Sequence, residues 1–194
     1  YFTEHYDPGI TNPKWRQEWE QRHSSGITPK EDIIAAAREM EARGEKFVLW
    51  AGHGRIFGLD FYVSLDTMQK MLEAAPNALQ GFIFAELENT DEALKNDIER
   101  LLIPLADSCA KYGNKKILLR NKNIFWNGNA YHPVWRDLLL GGKYRSVFVP
   151  SMEETNCRTQ ELSLSGREGL WMTGKFDHIS ARAVTDNACF NRLW

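Results

Sequence analysis

Apolar residues recur along the chain in two alternating rhythms: stripes at three- and four-residue spacing that suit amphipathic helices, and short unbroken runs that suit buried strands. The first helix is expected to start with Thr28 as N-cap, Pro29 at its first position and Glu31 at its third, and to stop at Gly44, which closes it by adopting positive φ. Ile33, Ile34, Ala37 and Met40 supply its apolar stripe. The run Phe47-Val48-Leu49-Trp50-Ala51 follows at once and opens into Gly52-His53-Gly54, as a buried parallel strand and its loop would.

The alternation then repeats. A helix over 65–75 precedes the strand Phe82-Ile83-Phe84-Ala85, and a longer helix runs from an Asn89/Glu92 capping box to Gly113, with a kink at Pro104. The strand Ile117-Leu118-Leu119 leads into a polar and aromatic loop, 121–131, and then a short helix with Pro133 first and Gly141 behind it. Val147-Phe148-Val149 is the next strand; a helix over 161–172 closed by Gly174 and a strand over 179–184 complete the series. A sixth strand is weighed at 2–6.

Strands alternating with helices at this spacing imply βαβ units and a parallel sheet, closed either as an open doubly wound sheet or as a barrel. The expected class is α/β, of the (β/α)8 TIM-barrel type, as a partial barrel with five or six parallel strands. A full barrel needs about 250 residues, so residues 1–194 are expected to form a single barrel-type catalytic domain that is truncated, with the remainder of the barrel missing. The terminal Phe190-Asn191-Arg192-Leu193-Trp194, which resembles a helix just starting, supports that expectation.

Composition narrows the function classes. With 43% hydrophobic residues the chain can bury one substantial core, and a net charge of −2 leaves no basic stripe for nucleic acid. No apolar run approaches the roughly 18 residues of a membrane span. Cys109, Cys157 and Cys189 are odd in number and widely spaced, which suits buried or free thiols better than a disulfide framework or metal site. No cofactor and no metal is expected: the third glycine of a dinucleotide fingerprint would fall at Phe57, and the phosphate-loop, zinc-protease and serine-hydrolase signatures are absent.

In parallel α/β folds the chemistry sits just past the strands, so the residues at those positions are the candidates. They are His53 and Arg55; Glu86 and Glu88; Arg120, Asn121, Lys122 and Asn123; Glu153, Glu154 and Asn156; Asp186 and Asn187. Loop residues are often polar and several of these suit helix caps, yet ionisable groups recur at five successive strand ends. Strict alternation would point Glu86 and Glu88 to one side with Phe82 and Phe84, leaving Ala85 and Leu87 on the other. A glutamate at the end of an apolar strand loses solvation, and a raised pKa would make it a general acid. Paired with a carboxylate from another strand end, it has the makings of glycosidic bond cleavage, against the plainer reading of ion pairs with Arg120 or Lys122. Seven tryptophans favour a sugar ligand: Trp126 in the 121–131 loop offers a flat face for stacking, whereas Trp50, Trp135 and Trp171 read as packing residues.

The segments Glu168-Gly169-Leu170-Trp171-Met172-Thr173-Gly174, Phe176-Asp177-His178-Ile179 and Asp186-Asn187-Ala188-Cys189-Phe190 resemble the catalytic barrel of family-98 glycoside hydrolases. The stretches 82–89 and Glu153-Glu154-Thr155-Asn156 share the family's style. The resemblance implies an endo-acting, inverting enzyme that cuts internal β-linkages of galactoside or xylan type in complex glycans, acting outside the cytoplasm as a secreted, periplasmic or cell-surface protein. It also implies Glu86 as acid, with Glu88 as alternative, and Asp186 as base; the assisting glutamate would lie beyond Trp194, and Glu153 or Glu154 is the next partner. His53, Arg55, Asn121, Trp126, Asn156 and Asn187 are the expected substrate contacts. Two other readings stay open: a non-catalytic glycan-binding barrel fragment, and a sugar-phosphate enzyme that holds an anion with Lys122 or Arg120.

Overall fold

The computed structural model describes residues 3–4, 13–23, 27–53, 63–87, 92–121, 131–152 and 160–181. Along the chain they form β1 (Thr3–Glu4), α1 (Pro13–His23), β2 (Ile27–Thr28), α2 (Lys30–Arg43), β3 (Phe47–His53), α3 (Leu65–Ala74) and β4 (Leu79–Ala85). There follow α4 (Glu92–Asp97), a π-helical turn (Ile98–Leu102), α5 (Ile103–Lys111), β5 (Lys116–Asn121), α6 (Pro133–Leu139), β6 (Phe148–Met152), α7 (Gln160–Met172) and β7 (Ser180–Ala181).

Strands β3 to β7 make one five-stranded sheet in chain order, every pair parallel. The order never reverses among the described strands, so they contain no switch point of the doubly wound kind. The strand expected at 2–6 lies apart from this sheet: Thr3 and Glu4 pair with Ile27 and Thr28 in a separate two-stranded ribbon.

That ribbon corrects the expected start of the first long helix. Proline at 29 disfavours helical backbone at the residue before it, so Thr28 is drawn into β2, and Pro29 (φ −56°, ψ 143°) is itself the N-cap without a side-chain hydrogen bond. The far end is as expected: Gly44 sits at φ 68° and donates to the carbonyls of Glu41 and Met40. At Pro104, where a kink is expected, the helix carries a change of helical type. Pro104 cannot donate to a carbonyl one turn back, and the helix passes through the π-helical turn Ile98–Leu102 just before it.

The core lies between one face of the sheet and the helices. Leu49, Ala51, Phe82, Phe84, Ile117, Leu119 and Phe148 from the strands join Ile33 of α2, Met68 and Leu72 of α3, Leu102 of the π-turn, Leu105 of α5, Trp135 of α6 and Leu170 of α7. Cys109 belongs to this core, and burial pushes its thiol up to about 12. Trp135 packs as expected with no exposed surface, but Trp171 is 50% exposed. The reason is helical geometry: Leu170 is the inward position of α7, and its neighbour is turned about 100° away from it. Beneath the ribbon, the buried Glu4 carboxylate accepts from the Ser64 backbone N–H (2.6 Å), the Ser64 hydroxyl (3.0 Å) and the Thr67 hydroxyl (2.8 Å). These contacts tie β1 to the first turn of α3, where Ser64 is the N-cap.

Candidate active site at the strand ends

The opposite face of the sheet is built from the alternate residues. Trp50 aligns with Ile83, Ile83 with Leu118 and Leu118 with Val149, giving an apolar row from β3 to β6. This face is less covered than the helical one: Val48 is 48% exposed, and Trp50, Ile83 and Leu118 are half-buried. Trp50, expected as core, is therefore only partly so. One row further toward the C-terminal edge the character changes, to His53, Ala85, Arg120, Ser151 and Ser180 in register across all five strands.

Arg120 dominates that row. It is 6% exposed, and its guanidinium carbon lies 4.0 Å from the centre of the Trp50 ring, a cation–π contact that reaches from β5 across β4 to β3. Two features of the register allow the reach: the strand between presents only Ala85 beside Arg120, and the β3–β4 ladder slips between Trp50 and Gly52.

Glu86 stands immediately past β4, half-buried, and its backbone is left-handed at φ 57°. Its N–H donates to the carbonyl of Arg120 at 2.8 Å, carrying the ladder one residue beyond the strand. The expected alternation fails here. Leu87, not Glu86, joins Phe82 and Phe84 in the core, because a left-handed residue shifts the side-chain phase that an extended strand would have kept. A non-glycine residue in this conformation stores strain of a kind that clusters at functional sites.

Of the expected site residues, then, the described backbone places Glu86 just past β4, and His53 and Asn121 as the final residues of β3 and β5. Glu88, Glu153, Glu154, Asp186, Arg55, Trp126, Asn156 and Asn187 lie outside the described residues. Among the described residues no group of three or more His, Cys, Asp or Glu could hold a metal, and no helix is long and apolar enough to cross a membrane. Sequence reasoning named Arg120 only as an ion-pair partner or anion holder and missed its stacking on Trp50. Its place after Lys116 and Leu118 at period two, opposite the apolar Ile117 and Leu119, was the available signal.

The chain as a whole resembles known sequences. Residues 5–194 match the family model of the lambda-carrageenase middle domain. The chain belongs to that family. Two curated relatives are a lambda-carrageenase of a Pseudoalteromonas species, 31% identical over 94% of this chain, and that of Pseudoalteromonas carrageenovora, 30% identical over the same share. The chain spans 19% of the length of each relative. No solved structure matches it.

Proposed function

We propose that this chain is part of the catalytic barrel of an endo-acting glycoside hydrolase that cleaves internal β-linkages of a sulfated galactan of the carrageenan type. The observation that carries the reading is Glu86: a carboxylate in left-handed backbone at the C-terminal edge of a parallel sheet, in a chain matched over 5–194 by a carrageenase domain family. Glu86 is the general acid that protonates the leaving oxygen. Asp186 is the base that activates water, with Glu88, Glu153 and Glu154 as the alternative carboxylates. The inverting course follows the resemblance to family-98 hydrolases and requires the two carboxyl groups to stand roughly 6.5–9.5 Å apart, leaving room for that water. The one-directional strand order is what a section of a (β/α)8 barrel provides, and a polysaccharide substrate fits a secreted or cell-surface enzyme.

A second reading has its own observation. The matching family is named for a middle domain, and the chain covers 19% of each curated relative, so the same surface would serve as a glycan-binding barrel section beside a catalytic centre elsewhere. Reducing-end release from lambda-carrageenan, xylan and unsubstituted β-galactan by the intact protein, with and without Glu86→Gln, separates the two. Loss of turnover with retained polymer binding supports the hydrolase; turnover unaffected by Glu86→Gln supports the binding section.

A further inference from the structure

Glu4 is a buried carboxylate that the proposed chemistry leaves unused. At 3% exposure it accepts from the Ser64 backbone N–H and hydroxyl, 60 residues further along the chain, and from the Thr67 hydroxyl, 63 residues along. Taking a carboxylate out of water sets a desolvation cost against these bonds, so what the cluster secures above all is the relative position of the two segments.

The place of the cluster gives that position a use. A helix joining two parallel strands runs back along the sheet, so α3, between β3 and β4, has its N-terminus at the C-terminal end of the strands. Helix α2 packs beside α3 and turns at Gly44 into β3, which puts its own N-terminus at the same end, and Lys30 there forms an ion pair with Asp66 in the first turn of α3. The ribbon of β1 and β2 leads into α2 and therefore lies at the end where His53 closes β3 and Glu86 follows β4.

The connection from β3 to α3 leaves the sheet at His53 and reaches the helix cap at Ser64. One end is held by the ladder, in which His53 aligns with Ala85, and the other is held by Glu4. We infer that Glu4 is a positioning residue, which acts through Ser64 and the start of α3 to hold the β3 side of the site in place for a long glycan chain. The inference rests on the reading of the strand ends as a glycan site, and deepens it by naming what fixes that side. Neighbouring strands stand about 4.8 Å apart, so with Glu86 on the scissile bond the β3 side meets sugar units beside the bond, and its loss is felt in binding before it is felt in chemistry.

The test is steady-state kinetics and equilibrium binding of the intact protein on lambda-carrageenan, comparing wild type with Glu4→Gln, Thr67→Val and Gly44→Ala. Glu4→Gln turns an amide toward the same donors, and Thr67→Val takes away one hydroxyl while keeping the shape of the side chain. Gly44→Ala strains the left-handed end of α2, at the opposite end of the sheet, and stands for a loss that is structural alone. Glu4→Gln is expected to raise KM about tenfold or more, with kcat within about twofold of wild type and affinity lowered in step, because contacts made equally in ground and transition state are lost. Thr67→Val should move KM the same way by a smaller factor, and it decides the matter if Glu4→Gln does not fold. Gly44→Ala should lower the thermal midpoint and leave KM unchanged. Wild-type KM and affinity in the folded variants of the cluster overturn the inference and leave the hydrolase reading standing, and so does a rise in KM that Gly44→Ala reproduces. A wild-type protein that binds the polymer without turnover removes the hydrolase assignment instead; the affinities of the same variants then support or overturn the role of Glu4 by the same comparison.

Discussion

The backbone N–H of Glu86 donates to the carbonyl oxygen of Arg120 at 2.8 Å while Glu86 itself is left-handed at φ 57°. The candidate acid and the buried cation are thus joined through the main chain, at the point where β4 gives up its regular alternation. A side chain with a Cβ is disfavoured in that backbone region by about 1–2 kcal/mol, and glycine is not. Glu86→Gly should therefore be more stable than Glu86→Ala by about 1 kcal/mol in chemical denaturation. Equal stability of the two variants would show that the residue is extended.

Gly81 gives the reverse case. It lies inside β4, aligned with Lys116 of β5, and a Cβ built on it would sit 2.0 Å from the Lys116 carbonyl oxygen. The obstacle is backbone in a central ladder and cannot swing aside. Gly81→Ala should destabilise the fold by about 3 kcal/mol, measured from the denaturation midpoint. A shift smaller than 1 kcal/mol would mean that β4 and β5 are less closely paired than described.

Glu4 should matter more than its distance from the strand ends suggests. Its buried carboxylate accepts from the Ser64 N–H and from the hydroxyls of Ser64 and Thr67, at the positive end of α3. Glu4→Ala removes these acceptors and should cost about 2–3 kcal/mol, with faster hydrogen exchange at Ser64 and Thr67. Unchanged exchange at those two amides would separate β1 from the α3 cap.

Three carboxylates set the sign of the acid response. Asp177 is held below the ordinary carboxylate range by the Ser146 hydroxyl at 2.5 Å and then by Arg145. Glu41 is held there by the Ala78 N–H and the Asn77 side chain, and Asp107 by Lys143 and Tyr144. A folded-state pKa below the unfolded one contributes stability that is present above the unfolded value, about pH 4, and is lost as pH falls through the folded value. The thermal midpoint should accordingly fall below about pH 4, and less steeply in Glu41→Gln. A midpoint that rises on acidification would contradict the hydrogen-bond assignments.

The chain announces its sheet far better than its site. Gly44 and Gly174 mark helix ends by a property no other residue shares, and βαβ connections leave little choice of strand direction, so five parallel strands in chain order were legible. Helix α1 was not, because eight of the eleven residues of Pro13–His23 are polar or charged and Trp15 and Trp19 alone make too short an apolar stripe; β1 and β2 are two residues each and offer no period to read. Glu86 and Glu88 were assigned a shared side on the assumption of unbroken extension, and no residue type in Ala85-Glu86-Leu87 signals a left-handed turn. The Arg120 and Trp50 contact depends on two ladders and a slip between them, which is information about register that one sequence does not hold.

The central claim is that the strand-end carboxylate of Glu86 protonates a glycosidic oxygen. Reducing ends released from lambda-carrageenan by the intact protein, wild type against Glu86→Gln, test it most directly. The account predicts turnover by the wild type and a loss of about a hundredfold or more in the variant, with the folded state retained. A Glu86→Gln protein that keeps the wild-type rate would contradict it and favour the reading of the chain as a glycan-binding section.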